Sequence, residues 1–193
     1  MAIEVCAIGS YGEVGRNMTA VKVGNEVVIL DAGLHLPNYI KYTEEEGGDV
    51  IKLTEAALKR AEAIPNDEII KDWHKMVKAI IVSHAHLDHI GGTPYVEGKY
   101  KAPLIMTPFA AAVLNIITKD EKIRLKNEIR TLQPNSSLKL TPNITVEFIH
   151  VTHSTPQTVI IALHTKEGVI VYGNDFKLDN SPTLGKMPNY DRM

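Results

Sequence analysis

The chain has 193 residues, of which 44% are apolar, enough for one globular domain with a substantial core. Its formal net charge of −2 argues against the basic surface of a dedicated nucleic-acid-binding domain, although a metal site can supply positive charge locally. The single cysteine, Cys6, excludes an internal disulfide and is expected to be a buried hydrophobe. The sequence shows no signal peptide, lipidation motif or spanning apolar run, so we expect a cytoplasmic protein without a membrane partner.

Short β-type runs open the chain. Ala2–Gly9, Met18–Val23 and Glu26–Leu30 are predicted strands, and Gly24-Asn25 suits a tight hairpin turn between the last two. Leu34–Gly48 is polar and acidic without clear periodicity, so we predict a long loop there.

Helical patterns follow this loop. Thr54–Ile64 and Glu68–Val77 have apolar residues at helical spacing, which predicts two helices. Ala79–Val82 is a continuous apolar run, typical of a strand covered on both faces, and Leu104–Met106 is another short strand. Thr107 as N-cap and the proline after it predict a helix to about residue 119, apolar nearly all round and therefore buried.

Strand patterns return from Ile129 onward. The predicted strands are Ser137–Leu140, Ile144–Val151, Thr158–His164 and Val169–Tyr172. Strands, then helices, then more strands predict an α/β layered architecture in which helices cover a sheet and sheets face each other.

The segment Ser83–Gly92 carries the chemistry. It places His84, His86, Asp88 and His89 directly after a buried strand. In extended geometry the first two histidines project to the same side, and the glycines that follow allow the backbone to bend tightly. Nitrogen and carboxylate ligands at this spacing suit Zn²⁺, with Mn²⁺ as the alternative. The pattern therefore predicts a metal site rather than an ordinary polar loop.

This segment resembles the signature of the metallo-β-lactamase superfamily. Other parts of that pattern follow in order: Asp31 at the end of an early strand, the later His153, and Asp175 after a strand. The resemblance implies an α/β metallo-β-lactamase fold, an αββα sandwich, of which this chain would be the N-terminal and incomplete portion.

Three further segments, Gly9–Met18, His153–Thr158 and Gly173–Lys177, resemble ribonuclease J, particularly its archaeal form. Ribonuclease J belongs to the β-CASP group of nucleases. The resemblance implies that residues 1–193 are the first segment of a split metallo-β-lactamase domain. The inserted β-CASP domain and the C-terminal completion, which carries a further histidine for the second metal, would be absent from this chain.

The resemblance also implies two divalent cations, most simply zinc or else manganese, in one site. Six side chains would hold them: His84, His86 and His153 on the first cation, Asp88 and His89 on the second, and Asp175 bridging both.

The predicted catalytic carboxylates are Asp88, Asp175 and Asp31. The resemblance implies that Asp31 supports the ligands from behind, and the alternative is a helix or turn cap unrelated to metal. His150 competes with His153 as a ligand, and the family pattern favours His153.

Ser154 and Thr155 follow the last of these histidines directly. Their hydroxyls are predicted to contact a substrate phosphate, and a cap or turn role is the alternative.

Two nearby cations would lower the pKa of a shared water toward about 7, and the resulting hydroxide would attack phosphorus in line. The implied function is a ribonuclease of the ribonuclease J type, a 5′–3′ exonuclease and also an endonuclease, acting on RNA or single-stranded DNA and homo-oligomeric at full length. The alternatives are a thioester or lactam hydrolase of the same superfamily, or a catalytically silent metal-binding fragment.

Because the further histidine of the second metal is expected outside these 193 residues, we predict that the chain holds the first metal more tightly than the second. Zinc titration followed by metal analysis of the desalted protein would measure this. Two tightly bound ions per isolated chain would contradict the prediction.

Overall fold

Two β-sheets lie face to face in the computed structural model, which describes residues 2–45 and 53–193. The strands of this part are β1 Ile3–Gly9, β2 Met18–Val23, β3 Glu26–Leu30, β4 Val77–Ile81, β5 Leu104–Met106, β6 Ile129–Thr131, β7 Ser136–Lys139, β8 Thr145–His150, β9 Val159–Thr165 and β10 Gly168–Tyr172. The helices are α1 Leu36–Glu45, α2 Glu55–Arg60, α3 Leu87–Ile90, α4 Thr93–Val96 and α5 Pro108–Asp120, with 3₁₀ helices over Asp67–Met76 and Glu97–Lys99.

The first sheet has the strand order β1-β2-β3-β4-β5-β6, and the second has the order β10-β9-β8-β7. The second sheet is antiparallel throughout. In the first sheet, β1, β2 and β3 are antiparallel neighbours, whereas β3, β4, β5 and β6 run parallel. The parallel strands therefore end at one common edge.

Alternate side chains of the first sheet pack into two separate hydrophobic cores, one on each face of the sheet. On β3, Val27 and Ile29 face the helices and pack with Leu58, Ile64 and other buried residues there. Successive strand residues point to opposite faces, so their neighbours face the second sheet. The inner strands β2, β3 and β4 are thus covered on both sides, which explains their nearly continuous apolar sequences.

The second core lies between the sheets. Val28 and Leu30 of β3 belong to it together with Phe148 of β8 and Ile161 of β9, all of them buried. A fully buried side chain of this size contributes about 1.5–3 kcal/mol to folding, so this layer fixes the two sheets against each other.

The predicted strands at the start of the chain are confirmed. The turn at Gly24-Asn25 joins β2 to β3, with Val23 paired with Glu26. The strands predicted in the second half also form, and none of their ends is shifted by more than one residue.

The prediction of a loop over Leu34–Gly48 is wrong for its described part, because α1 forms at Leu36–Glu45; residues 46–48 lie outside the described residues. Tyr39 and Tyr42 are one helical turn apart and both pack against the helical core. The Tyr39 hydroxyl also donates to Glu121 Oε1 at 2.8 Å. Tertiary packing of two tyrosines therefore forms a helix in a segment without a clear apolar stripe.

The helices predicted next are shorter or tighter than expected. The predicted helix Thr54–Ile64 forms only over α2, because Glu62 adopts a left-handed conformation with φ of 53° that ends it. The segment predicted as helix Glu68–Val77 is a 3₁₀ helix with non-helical angles at Ile70.

Helix α5 begins as predicted, with the Thr107 hydroxyl accepting a hydrogen bond from the Ala110 amide. Its predicted burial on all sides is wrong, since the Ile116 side chain is 59% exposed. Ala110 and Leu114 face the core instead.

The predicted α/β fold class is confirmed. Within residues 2–45 and 53–193, no helix follows α5, so the described layers are helix, sheet and sheet. None of the helices in this part of the chain has the length and apolar character needed to cross a membrane.

A buried carboxylate ties the helical layer together. Asp67 is fully buried and pairs with Lys59 at 2.5 Å and with Lys99 at 2.6 Å, and it accepts a hydrogen bond from the Tyr100 hydroxyl. Burial alone would raise the pKa of Asp67, but the hydrogen bonds from these three partners lower it below its ordinary value. The charged carboxylate therefore links α2 to both 3₁₀ helices.

We predict that Asp67→Ala destabilises the fold by about 3–5 kcal/mol at pH 7, because it removes the buried carboxylate that two partly buried lysines and the Tyr100 hydroxyl share. The pKa of Asp67 is lower in the folded state than its unfolded value of about 3.9, so its contribution is present above that value and lost as pH falls through the folded pKa. The difference from wild type should therefore narrow below about pH 4.

Urea unfolding at pH 7 and at low pH measures both effects. The exposed Asp72 on the same 3₁₀ helix provides a control. Its replacement by alanine is expected to change stability by less than about 0.5 kcal/mol. Equal losses in the two variants would contradict the prediction.

Candidate metal centre

The candidate site lies at the edge where strands of both sheets end. Asp31 directly follows β3, and its amide donates to the Ile81 carbonyl of β4 at 2.8 Å. Ser83 follows β4 and accepts at its carbonyl a hydrogen bond from Val159 of β9 at 3.2 Å. This bond joins the two sheets, so the residues that come next in each sheet are brought to the same place.

One group of side chains converges on a single point: His84, His86, His153 and Asp175. The His84 Nε2 and His86 Nδ1 atoms are 3.1 Å apart, as are His86 Nδ1 and His153 Nε2. His153 Nε2 lies 3.8 Å from Asp175 Oδ2. His86 therefore turns Nδ1 toward the centre of this group, whereas the other two rings turn Nε2 toward it.

A second group shares one member with the first. It consists of Asp88, His89 and Asp175. His89 Nε2 lies 3.5 Å from Asp88 Oδ2 and 3.7 Å from Asp175 Oδ2. The Asp175 side chain is 55% exposed, so the junction between the two groups is open to solvent.

The spacing of the first group fits a divalent cation. A tetrahedral centre with metal–nitrogen distances of about 2.0–2.1 Å places its nitrogens about 3.3 Å apart, close to the 3.1 Å found for the three rings. The outer nitrogens of two rings also have hydrogen-bond acceptors. His84 Nδ1 lies 3.0 Å from Ser83 Oγ, and His86 Nε2 lies 3.1 Å from Ser154 Oγ.

With those outer nitrogens protonated, the inner nitrogens present lone pairs to one another and repel unless a positive charge lies between them. His153 Nδ1 is buried without a hydrogen-bond partner among the described residues. Its ring is therefore not held by a protein acceptor on its far side. The donor set and its spacing both fit a divalent metal site.

Asp31 supports both groups from behind. Its Oδ1 accepts from the Ser83 amide at 2.7 Å, and its Oδ2 accepts from the Ser83 hydroxyl at 2.8 Å. The same Oδ2 accepts from His89 Nδ1 at 2.7 Å and from the Tyr172 hydroxyl at 2.9 Å. Asp31 has a positive φ of 60°, a conformation that aspartate tolerates better than most residues.

These bonds set the orientation of one histidine in each group. The Nδ1–H of His89 donates to Asp31 directly, which leaves Nε2 as the atom available to a cation. His84 is held one step further away, because its Nδ1–H donates to the Ser83 hydroxyl, which in turn donates to Asp31.

The charges in the site shift the pKa values in opposite directions. Burial and the charge of His89 lower the pKa of His84 to about 3, so that ring is neutral. Burial and the charge of His86 lower the pKa of His153. Burial alone would raise the pKa of Asp31, but the charge and hydrogen bond of His89 lower it below its ordinary value.

His89 behaves differently. Burial alone would lower its pKa, but the charge and the hydrogen bond of Asp31 raise the pKa of His89 above its ordinary value. Since a cation at Nε2 requires the neutral ring, metal binding in the second group is expected to release protons.

The structure brings all six predicted ligands together, and their assignment as ligands stays a prediction. The competing His150 points elsewhere, with Nε2 3.0 Å from the Lys186 carbonyl. The two residues predicted to contact substrate have different surroundings. Ser154 is exposed beside His86, whereas the Thr155 hydroxyl lies 3.1 Å from that of Thr158 in a local turn.

The sequence patterns do not mark four residues whose side chains contact the site: Asn17, Ser83, Tyr172 and Asn174. Asn17, Ser83 and Asn174 lie within motif segments, but the sequence predicts no contact with the site for them. The partner of Tyr172 is 141 positions away in sequence. No local pattern marks such a contact, because it depends on how the two sheets meet.

A cavity of about 650 Å³ adjoins His153. Ser154, Thr155, Lys177 and Lys186 line part of it. The charge of Lys177 contributes to the lowered pKa of His153, which places that charge close to the cluster. The cavity therefore combines hydroxyl groups and positive charge beside the candidate metal centre.

Comparison with known proteins gives the class to which this fold and site belong. A family model described as the metallo-beta-lactamase superfamily matches residues 11–182. This range covers most of the chain, and the chain belongs to the metallo-β-lactamase superfamily.

Curated relatives narrow the similarity to ribonuclease J. Ribonuclease J of Methanocaldococcus jannaschii is 46% identical over 191 residues, which are 98% of this chain and 42% of that protein. Ribonuclease J of Pyrococcus abyssi is 35% identical over 193 residues, 99% of this chain and 42% of the relative. The resemblance inferred from the sequence motifs is confirmed, and the chain spans about two fifths of the length of these relatives.

Solved structures agree on the fold. A protein of unknown function from Enterococcus faecalis V583 aligns with a TM-score of 0.66 at 18% identity, over 90% of this chain and 43% of that one. The metallo-beta-lactamase fold protein YhfI from Bacillus subtilis aligns with a TM-score of 0.53 at 17% identity, over 89% of this chain and 62% of that one. At these identities the likeness shows the fold alone.

We predict that Asp31→Asn lowers zinc affinity by about 10–100-fold. The asparagine NH₂ group is a donor, and it would face the N–H and O–H groups that donate to the Asp31 carboxylate. Competition titration with a zinc chelator would measure the change. Asp179→Asn is the matched control, because this half-buried carboxylate also accepts a hydrogen bond, from the Ser181 amide at 2.8 Å, but lies outside the cluster. An Asp31 variant that folds and binds zinc as wild type does would contradict this role and leave Asp31 as a turn residue.

Proposed function

We propose that the chain forms the metal-binding part of a metal-dependent phosphodiester hydrolase, a ribonuclease of the ribonuclease J type. The observation that carries the proposal is the pair of ligand groups that share Asp175. Two adjoining cation positions with a common carboxylate are the arrangement used for in-line displacement at phosphorus. The similarity to ribonuclease J proteins favours RNA as the substrate, with single-stranded DNA as a second nucleic-acid candidate.

The proposed ligands are His84, His86 and His153 for the first cation and Asp88 and His89 for the second, with Asp175 common to both. Three imidazole nitrogens in the first group favour zinc, with manganese as the alternative. When bound, divalent cations at such a site lower the pKa of water and neutralise charge on a phosphate.

The chain's own residues would hold and orient the reacting groups. Asp31 keeps the two histidines in the tautomers that present Nε2 to the site. The Ser154 hydroxyl accepts from His86 Nε2, so its own hydrogen remains to donate to a phosphate oxygen. Thr155 and Lys177 line the adjoining cavity, where hydroxyl and ammonium groups suit the nucleotide next to the scissile phosphate.

We further propose 5′–3′ exonucleolytic digestion, with endonucleolytic cleavage as a second mode, in a homo-oligomeric enzyme. Residues 1–193 would be the first segment of its metallo-β-lactamase domain. The relatives' greater length supports this division, since the chain matches 42% of each of the two archaeal proteins.

The test is digestion of end-labelled, 5′-monophosphorylated RNA by the 193-residue protein with zinc or manganese. We expect shortening of the RNA that a chelator abolishes and that His86→Ala reduces by more than about 100-fold, because one metal ligand is lost. His164→Ala is the matched control, since this histidine pairs with Glu147 away from the cluster.

A thioester substrate and single-stranded DNA are assayed in parallel. Thioester cleavage without RNA digestion would favour another hydrolase of the superfamily. Zinc binding without cleavage of any substrate would reject the enzymatic proposal for these residues and support a silent metal-binding module.

A further inference from the structure

The backbone of Asn17 is fixed beside the second ligand group. Asn17 precedes β2, its amide donates to the Asp88 carbonyl at 3.0 Å, and its carbonyl accepts from the Gly33 amide at 2.9 Å. A Cβ at Gly33 would lie 1.6 Å from the Asp88 carbonyl oxygen and 2.7 Å from the Asn17 nitrogen. Only glycine permits this approach, so three separate segments are locked together around Asn17.

The side-chain amide of Asn17 points at three acceptors. Its Nδ2 lies 2.9 Å from the Asp88 carbonyl, 3.3 Å from Asp88 Oδ2 and 3.1 Å from His89 Nε2. The carbonyl and the carboxylate can only accept, and in the neutral His89 ring Nε2 also accepts because Nδ1–H donates to Asp31. An amide oxygen in this place would face two or three acceptors, so the hydrogen-bond network fixes the orientation of the amide.

Two of these three acceptors are the atoms that Asp88 and His89 offer to a cation. We propose that Asn17 is a positioning residue for the second metal position, an inference that rests on the proposed metal-dependent function. Its amide holds the Asp88 carboxylate and the start of α3 in place. When a cation takes His89 Nε2, the two bonds from Asn17 to Asp88 remain and keep that carboxylate directed at the site.

The first ligand group is oriented by other residues, namely Ser83 behind His84 and Ser154 behind His86. Loss of the Asn17 amide should therefore weaken one metal position and spare the other. A residue with a merely structural role would not separate the two positions in this way.

The experiment is a Zn²⁺ titration of the 193-residue protein against a competing chelator. Asn17→Ala is expected to weaken binding at the second position by about 10–100-fold and to leave the first within about twofold. Asp88→Ala and His86→Ala assign the two binding phases. Asn38→Ala is the matched control, because its amide also donates to a backbone carbonyl, that of Glu62 at 3.1 Å, outside the cluster.

Asn17→Ser provides a second variant. The serine side chain is too short for its hydroxyl to replace the asparagine amide, so this variant should show the same selective loss of Zn²⁺ affinity at the second position. The proposal is overturned if a folded variant binds Zn²⁺ as wild type does at the second position, or if both positions weaken equally. Failure of both variants to fold would also overturn it, because Asn17 would then be a structural residue. A wild-type chain that binds no Zn²⁺ would instead reject the proposed function.

Discussion

The Asp31 carboxylate is removed from water at the point where the two sheets meet. A buried charge of this kind costs several kcal/mol unless hydrogen bonds replace its hydration. Ser83, His89 and Tyr172 supply those bonds from the loop after β4, from α3 and from β10. Because each donor comes from a different element, satisfying one carboxylate fixes the relative position of all three, and the ligand loop is held by the same bonds.

This arrangement couples stability to the chemistry of the site. The bonds that compensate the burial of Asp31 also fix which nitrogen of His84 and of His89 carries hydrogen. The inner nitrogen of His84 is consequently left as a lone pair 3.1 Å from His86 Nδ1. The inner nitrogen of His89 faces the Asp88 and Asp175 carboxylates instead. The fold therefore arranges these ligand atoms in advance, in a geometry that a bound cation would stabilise.

Charge is distributed unevenly around this centre. The chain as a whole carries a net charge of −2, and the second ligand group adds two carboxylates within reach of one histidine. Lys177 and Lys186 line the adjoining cavity beside His153, together with one carboxylate, that of Asp179. An anionic ligand would therefore be attracted by this local surface, and by a cation if one is bound, rather than by long-range steering from the protein.

The sequence determined the strands, the turn at Gly24-Asn25 and the chemical identity of the site, because these depend on local patterns. Alternating apolar runs predict strands buried on one face, and continuous apolar runs predict strands buried on both. Four ligand-type residues within Ser83–Gly92 mark metal chemistry by their spacing. The family resemblance added His153 and Asp175 to these, and the structure places both beside the loop.

Only the tertiary structure decided the rest. Helix α1 depends on Tyr39 and Tyr42 packing against residues distant in sequence, so its local composition is typical of a loop. Three contacts at the site join segments that are 67 to 141 positions apart. They are the contact of His86 Nδ1 with His153, that of Asn17 with Asp88, and the bond from Tyr172 to Asp31. Such contacts leave no periodic signal, because they follow from the meeting of two sheets at one edge rather than from any neighbouring residue.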